Sequence, residues 1–208
     1  MIKQKVLYQG AEALICLDTY LHKTVIQKKR ISKQYRIREI DHRLIGSRTK
    51  EEAKLFSLAR SCGVPVPLIY DVDIVNGILI MEYIQGKRIK DLLHHISLQE
   101  RKKICTSIGR NIARLHNHHI IHGDITTSNM ILFDDRIYFI DFGLGCISQD
   151  IELKGVDLHV LMEAFESTHS QYPECFSYVL EGYQMEYTGD AKAVIMKIDE
   201  IVQRGRYR

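Results

Sequence analysis

Asp124, Asn129 and Asp141 carry the chemistry most directly readable in this chain. They lie in His122-Gly-Asp-Ile-Thr-Thr-Ser-Asn129 and in Ile140-Asp-Phe-Gly143. Phosphoryl transfer needs one carboxylate to orient an acceptor and oxygen ligands to hold Mg²⁺ against phosphates. Asp124, on a loop after a buried helix, suits the first task. Asn129 and Asp141, before and after the next hairpin, suit the second. Mg²⁺ favours hard oxygen donors and few protein contacts, because it keeps water and phosphate oxygens as its other ligands. His122 suits propping the loop by hydrogen bonding better than titrating in catalysis. Any one of these residues is weak ground; in this order and spacing they point to nucleotide chemistry.

The elements that must position them divide the chain in two. Val6–Tyr8, Leu14–Asp18 and Thr24–Lys28 are β-rich runs separated by Gly10 and a polar turn near His22. A helical stretch from about Ile37 to Cys62 follows, with a break expected at Gly46-Ser47 and a capping box at Thr49 and Glu52. Gly63-Val-Pro-Val-Pro67 stops it. Leu68–Val75 and Ile78–Ile84 flank Asn76-Gly77, a strong hairpin signal. Beyond Lys87 the pattern turns helical. Ser97 and Glu100 form a second capping box, and Ile104, Ile108, Ile112 and Leu115 recur at helical spacing. Strands are expected at Met130–Phe133 and Ile137–Asp141, joined by Asp134-Asp135, and helices over Val156–His169, Pro173–Tyr187 and Asp190–Gln203. The expected architecture is α+β: a β-rich lobe at 1–84 with one main helix, and a helical lobe at 85–208.

The 208 residues are 45% hydrophobic and 26% charged, as in a water-soluble globular protein. Five cysteines without metal-ligand spacing suggest free thiols in a reducing compartment. Met1–Tyr8 shows no signal-peptide core, and no apolar run approaches a membrane span. A cytoplasmic location is expected, nuclear as well in a eukaryote. Charge is uneven: Lys23–Lys50 holds ten Lys or Arg against Glu39 and Asp41, a local +8 in a chain of net +3. Arg204, Arg206 and Arg208 form a second basic cluster. Such asymmetry suits a polyanionic partner, although a solvated helix face is the plainer account.

With H-x-D-x-x-x-x-N and D-F-G both present, the chain resembles the protein kinase superfamily in a minimal bilobal form. The resemblance implies that Lys28 reaches the α- and β-phosphates of ATP and that Glu52 is its ion-pair partner. It makes Gly10-Ala-Glu-Ala13 (Gly10, Ala11, Glu12, Ala13) the phosphate-covering turn and Met81 the gatekeeper, with the backbones of Glu82 and Ile84 facing adenine. Asn129 and Asp141 would hold Mg²⁺. The departures are as telling. A G-x-G-x-x-G lid is missing, Gly123 replaces the usual arginine, Thr126 replaces a lysine, and no A-P-E follows. About a dozen residues remain for an activation segment, too few for a peptide platform.

Those departures resemble the small kinase subunits of the KEOPS (EKC) complex, the p53-related protein kinase family, related to RIO-type kinases. The matching stretches run from Gly10–Ala13 and Lys28–Arg36 through Arg48–Ala53, Met81–Ile84, Gly155–Leu158 and Glu166–His169 to Arg204-Gly-Arg206. Gly145, where that family more often has serine, is a small departure. The resemblance implies an ATP- and Mg²⁺-dependent Ser/Thr kinase and ATPase. It would serve threonylcarbamoyladenosine formation in tRNAs reading codons that begin with adenine. The implied partners are the threonylcarbamoyl transferase subunit, a small regulatory subunit and tRNA, with Lys33, Arg36, Arg204, Arg206 and Arg208 on tRNA phosphates, and no membrane. A small-molecule kinase of the aminoglycoside or choline type shares H-G-D-x-x-x-x-N, but 208 residues leave little room for its acidic insertions. A non-catalytic pseudokinase scaffold is the other alternative.

Overall fold

In the computed structural model, which describes residues 4–33 and 35–206, an antiparallel sheet is built from β1 (Lys5–Gln9), β2 (Ala13–Tyr20), β3 (Lys23–Arg30), β4 (Ile69–Asp73) and β5 (Ile78–Glu82). Its strand order is β1-β2-β3-β5-β4. The β2–β3 hairpin turns through Leu21-His22, both at positive φ (46° and 64°), and pairs Tyr20 with Lys23. Such two-residue turns match the twist of the strands they join. Along β3, Val25, Lys28 and Arg30 are buried. Two cations are thus set into the interior two residues apart, on one face of the strand.

Between β3 and β4 runs α1 (Arg38–Ser61), unbroken. The break expected at Gly46-Ser47 is absent. A Cβ at residue 46 would lie 3.1 Å from both the Ile74 carbonyl oxygen and its Cγ2, so this glycine serves close packing against the β4–β5 turn. The capping box read at Thr49 and Glu52 is also corrected. Both residues are buried inside the helix, and the Thr49 hydroxyl donates to the Ile45 carbonyl oxygen at 2.7 Å. The β4–β5 connection is likewise longer than the expected two residues. Asp73 pairs with Ile78 across four connecting residues. The Asp73 carboxylate accepts from the backbone and side-chain nitrogens of Asn76, at 2.9 and 2.7 Å.

The rest of the described chain is mainly helical. It comprises β6 (Lys87–Arg88), α2 (Ile89–Leu92), α3 (Leu98–Asn117), β7 (Ile120–Ile121), β8 (Met130–Phe133), β9 (Arg136–Phe139), β10 (Cys146–Ile147), α4 (Ile151–Thr168), α5 (Glu174–Glu186) and α6 (Ala191–Arg206). Ser97 and Glu100 form the expected capping box on α3, and Ile104, Ile108, Ile112 and Leu115 are buried as that stripe requires. The β8–β9 turn at Asp134-Asp135 also matches, both residues at positive φ. The short strands β6, β7 and β10 have no two-residue periodicity to announce them. Helix α4 starts at Ile151, earlier than expected. Asp150 caps it by accepting from the Glu152 N–H at 2.9 Å. All five cysteines are free. No described helix is long and apolar enough to cross a membrane.

Helices α3 and α5 touch backbone to backbone. A methyl on Gly109 would overlap the Val179 carbonyl oxygen and lie 2.7 Å from the Tyr183 nitrogen. Gly109→Ala is therefore expected to force the helices apart at a cost of about 2–3 kcal/mol. A melting temperature lowered by roughly 4–12 °C in calorimetry would register this. An unchanged value would refute the contact.

Candidate active site

The buried end of β3 meets the buried face of α1 in an ion cluster. Lys28 Nζ lies 2.7 Å from Glu52 Oε1 and 2.6 Å from Asp141 Oδ1. The competition between cap and ion pair at Glu52 is decided by geometry: Glu52 contacts Lys28, and its second oxygen accepts from Arg30 Nη2 at 2.5 Å. Burial works against the charged form of Lys28. Glu52 and Asp141 outweigh it and raise the ammonium above its ordinary value. Burial also pushes the Asp141 carboxyl up, but Lys28 and the Gly143 N–H overcome that and leave it below the usual carboxylate value. Both groups are therefore charged at neutral pH.

Asp124 and Asn129 form the second half of the site. Asn129 Nδ2 donates to the Asp124 carboxylate at 2.9 Å and to its backbone carbonyl at 3.0 Å. The amide thereby fixes the carboxylate and turns its own Oδ1 away. Asp141 is placed comparably: its Oδ1 accepts from Lys28 and from the Gly143 N–H, leaving Oδ2 for another partner. Two available hard oxygens suit Mg²⁺, which takes few protein ligands. His122 joins the two halves, its Nε2 lying 3.2 Å from the Ile140 carbonyl oxygen and its Nδ1 accepting from the Asp124 N–H at 3.3 Å. Burial keeps its imidazole below the ordinary value. It thus acts as a neutral prop.

The support beneath this loop was not legible in the sequence. Asp157, on α4 and fully buried, accepts from the backbone N–H groups of His122 and Gly123, each at 2.8 Å. His116 Nε2 lies 3.2 Å from the same carboxylate, and its Nδ1 is 3.0 Å from the Tyr183 hydroxyl. A line of buried hydrogen bonds therefore runs from α5 through α3 and α4 to the loop. Gly123 has φ +83°, and a Cβ there would overlap the Leu144 carbonyl oxygen. An arginine at 123 is excluded by space as well as by backbone strain. Only residues 144–150 separate Gly143 from α4, fewer than the dozen expected.

On the far side, the Thr127 hydroxyl lies 3.1 Å from His169 Nε2, and the buried His169 Nδ1 has no partner among the described residues. Burial, then His94 and Lys90, lower the His169 pKa to about 4. Below its ordinary pKa the unfolded chain takes up a proton that the folded chain refuses, so stability must fall as pH drops from about 6.5 towards 4. His122 adds to the same slope. The expected loss from His169 is about 1–2 kcal/mol at pH 5. A His169→Gln variant should flatten the fall in melting temperature between pH 7 and 5; an unaltered slope would exclude His169 as its source.

The other expected site residues are placed as follows. Gly10–Ala13 forms the β1–β2 turn; Lys33 Nζ bonds the Ala11 carbonyl oxygen, and Arg48 reaches Glu12 at 3.2 Å. Met81 is buried on β5. Its neighbour Glu82 spends its backbone N–H on the Leu68 carbonyl oxygen at 2.8 Å, and Ile84, just past the strand, is buried. Of the basic residues, Arg36 lies 3.3 Å from Asp41, and Arg204 pairs with Glu152. The Arg206 side chain and Arg208 lie outside the described residues.

Comparison with known proteins accords with this geometry. A family described as the RIO domain matches residues 18–168. The KEOPS complex subunit Bud32 of Pyrococcus abyssi is 47% identical, over 98% of this chain and 96% of its own length. A probable serine/threonine-protein kinase BUD32 homolog of Archaeoglobus fulgidus is 40% identical, over 96% and 95%. A probable bifunctional tRNA threonylcarbamoyladenosine biosynthesis protein of Methanothermobacter thermautotrophicus is 45% identical over 97% of this chain, which spans only 36% of that protein. Among solved structures, WaaP in complex with acyl carrier protein superposes with a TM-score of 0.67 over 97% of this chain and 88% of its own. At 10% identity it shares the fold alone.

Proposed function

The chain belongs to the RIO domain family, and on that premise we propose that it is an ATP-dependent Ser/Thr kinase and Mg²⁺-ATPase serving the KEOPS assembly in threonylcarbamoyladenosine modification of tRNA. The observation that carries this reading is the joining of Lys28, Glu52 and Asp141 in one ion cluster beside the Asp124–Asn129 pair. Lys28 would hold the α- and β-phosphates. Mg²⁺, held by Asn129 and Asp141, would neutralise charge on the phosphates. Asp124 would orient the acceptor, a protein hydroxyl or water. The short span after Gly143 leaves little surface for a peptide, so a partner would present the acceptor or use the hydrolysis cycle.

The implied partners are the threonylcarbamoyl transferase subunit and a small regulatory subunit, in the cytoplasm. The bifunctional relative supports a link with that chemistry, because a protein named for threonylcarbamoyladenosine biosynthesis includes a stretch 45% identical to this chain. Lys33, Arg36 and Arg204 have partners within the chain, so any tRNA contact there would compete with Ala11, Asp41 and Glu152. Removing residues 204–208 is expected to weaken tRNA binding by the assembled complex and to reduce its salt dependence. Unchanged affinity and salt slope would count against a tail contact. The functional reading itself is tested by ATP turnover with the partner complex present, together with a tRNA nucleoside assay after Asp124→Ala. Unaltered modified-nucleoside levels and turnover would refute it.

A further inference from the structure

Glu52 is bound by two cations, and the functional reading uses only Lys28. Arg30 ends β3 two residues beyond Lys28, with its backbone N–H donating to the Gly77 carbonyl oxygen at 2.9 Å. Its side chain is 6% exposed, against 1% for Glu52. Lys28 takes Oε1 and Arg30 takes Oε2, so each carboxylate oxygen has its own charge-assisted bond. The cluster reaches the Asp-Phe-Gly turn as well. The point where a Cβ would stand on Gly143 is 3.5 Å from both Lys28 Nζ and Arg30 Nη2.

We propose that Arg30 is a positioning residue for the nucleotide site, holding Glu52 and with it α1 in place whether or not Lys28 is engaged with phosphate. The charges give the reason. Lys28 and Arg30 are balanced by Glu52 and Asp141, and all but Asp141 are nearly excluded from water. Phosphates would draw Lys28 towards themselves, and a metal ion would draw Asp141. Glu52 would then be a buried carboxylate sharing its lysine with phosphate and only partly neutralised, a costly state. With Arg30 on its second oxygen, Glu52 stays paired throughout. Without Arg30, one lysine would face two carboxylates, and the excess negative charge would repel ATP. This inference rests on the proposed ATP site.

The test compares the affinities of Mg-ATP and adenosine for the full chain. Arg30→Met is expected to weaken Mg-ATP about tenfold, equivalent to about 1.4 kcal/mol, and to change adenosine less than about twofold. Arg30→Lys should recover most of the loss. Adding Arg30→Met to Glu52→Gln should do little beyond Glu52→Gln alone, since the two act as a unit. That pair also decides the matter should Arg30→Met by itself fail to fold. Undiminished ATP affinity, equal weakening of ATP and adenosine, or additive effects in the double variant would each overturn the role of Arg30. Failure of the wild-type chain to bind ATP at all would instead overturn the functional reading.

Discussion

Asp141→Ala is expected to lower ATP turnover by at least about 10²-fold while leaving the protein folded. The two halves of this expectation come from different neighbours. Asp141 keeps Oδ2 for another partner, so the variant loses a carboxylate suited to a metal ion and the charge that sets Lys28. Yet the Asp141 side chain is 44% exposed, and Lys28 and Arg30 retain Glu52. With the carboxylate this open to water and Lys28 still paired with Glu52, losing the contact costs on the order of 1 kcal/mol. Turnover assays and thermal unfolding should therefore diverge: activity collapses and the melting temperature barely moves. The depressed pKa sets the acid limit. Asp141 stays ionised through neutral pH, and its contribution is lost only as pH falls below the ordinary carboxylate range. Turnover equal to wild type would remove Asp141 from the chemistry.

Asp157→Ala is expected to do the opposite and act first on stability. The carboxylate is fully buried and receives two backbone N–H groups and a histidine nitrogen. Deleting it strands those donors in the interior, at about 3–5 kcal/mol. In a chain of this size the melting temperature should drop by roughly 6–20 °C. Activity should fall as well, because the loop carrying Asp124 loses its anchor. Asp157→Asn retains one acceptor oxygen and should lie between alanine and wild type on both measures. If alanine left stability and turnover intact, the loop would have to be held by something other than α4.

What was legible in the sequence follows from how each residue is constrained. Asp124, Asn129 and Asp141 stood out because one loop and one hairpin fix their spacing. Lys28 and Glu52 could be paired only through the family resemblance, since 24 residues separate them and Glu52 also fitted a cap. Asp157 lay within the matching stretch Gly155–Leu158, but its role was hidden: that depends on α4 passing beneath a distant loop, and a lone aspartate on a helix has no periodicity of its own. Arg30 was hidden among ten basic residues, where burial alone distinguishes it. Gly46 misled for the converse reason. Glycine is a helix breaker by propensity, but here it buys close contact with Ile74.

The seven residues between Gly143 and α4, with Leu144 pressed against Gly123, set how this protein can be governed. A long activation loop is a covalent memory: a phosphate added to it outlasts the signal that placed it. A span this short has no slack to rearrange around such a mark.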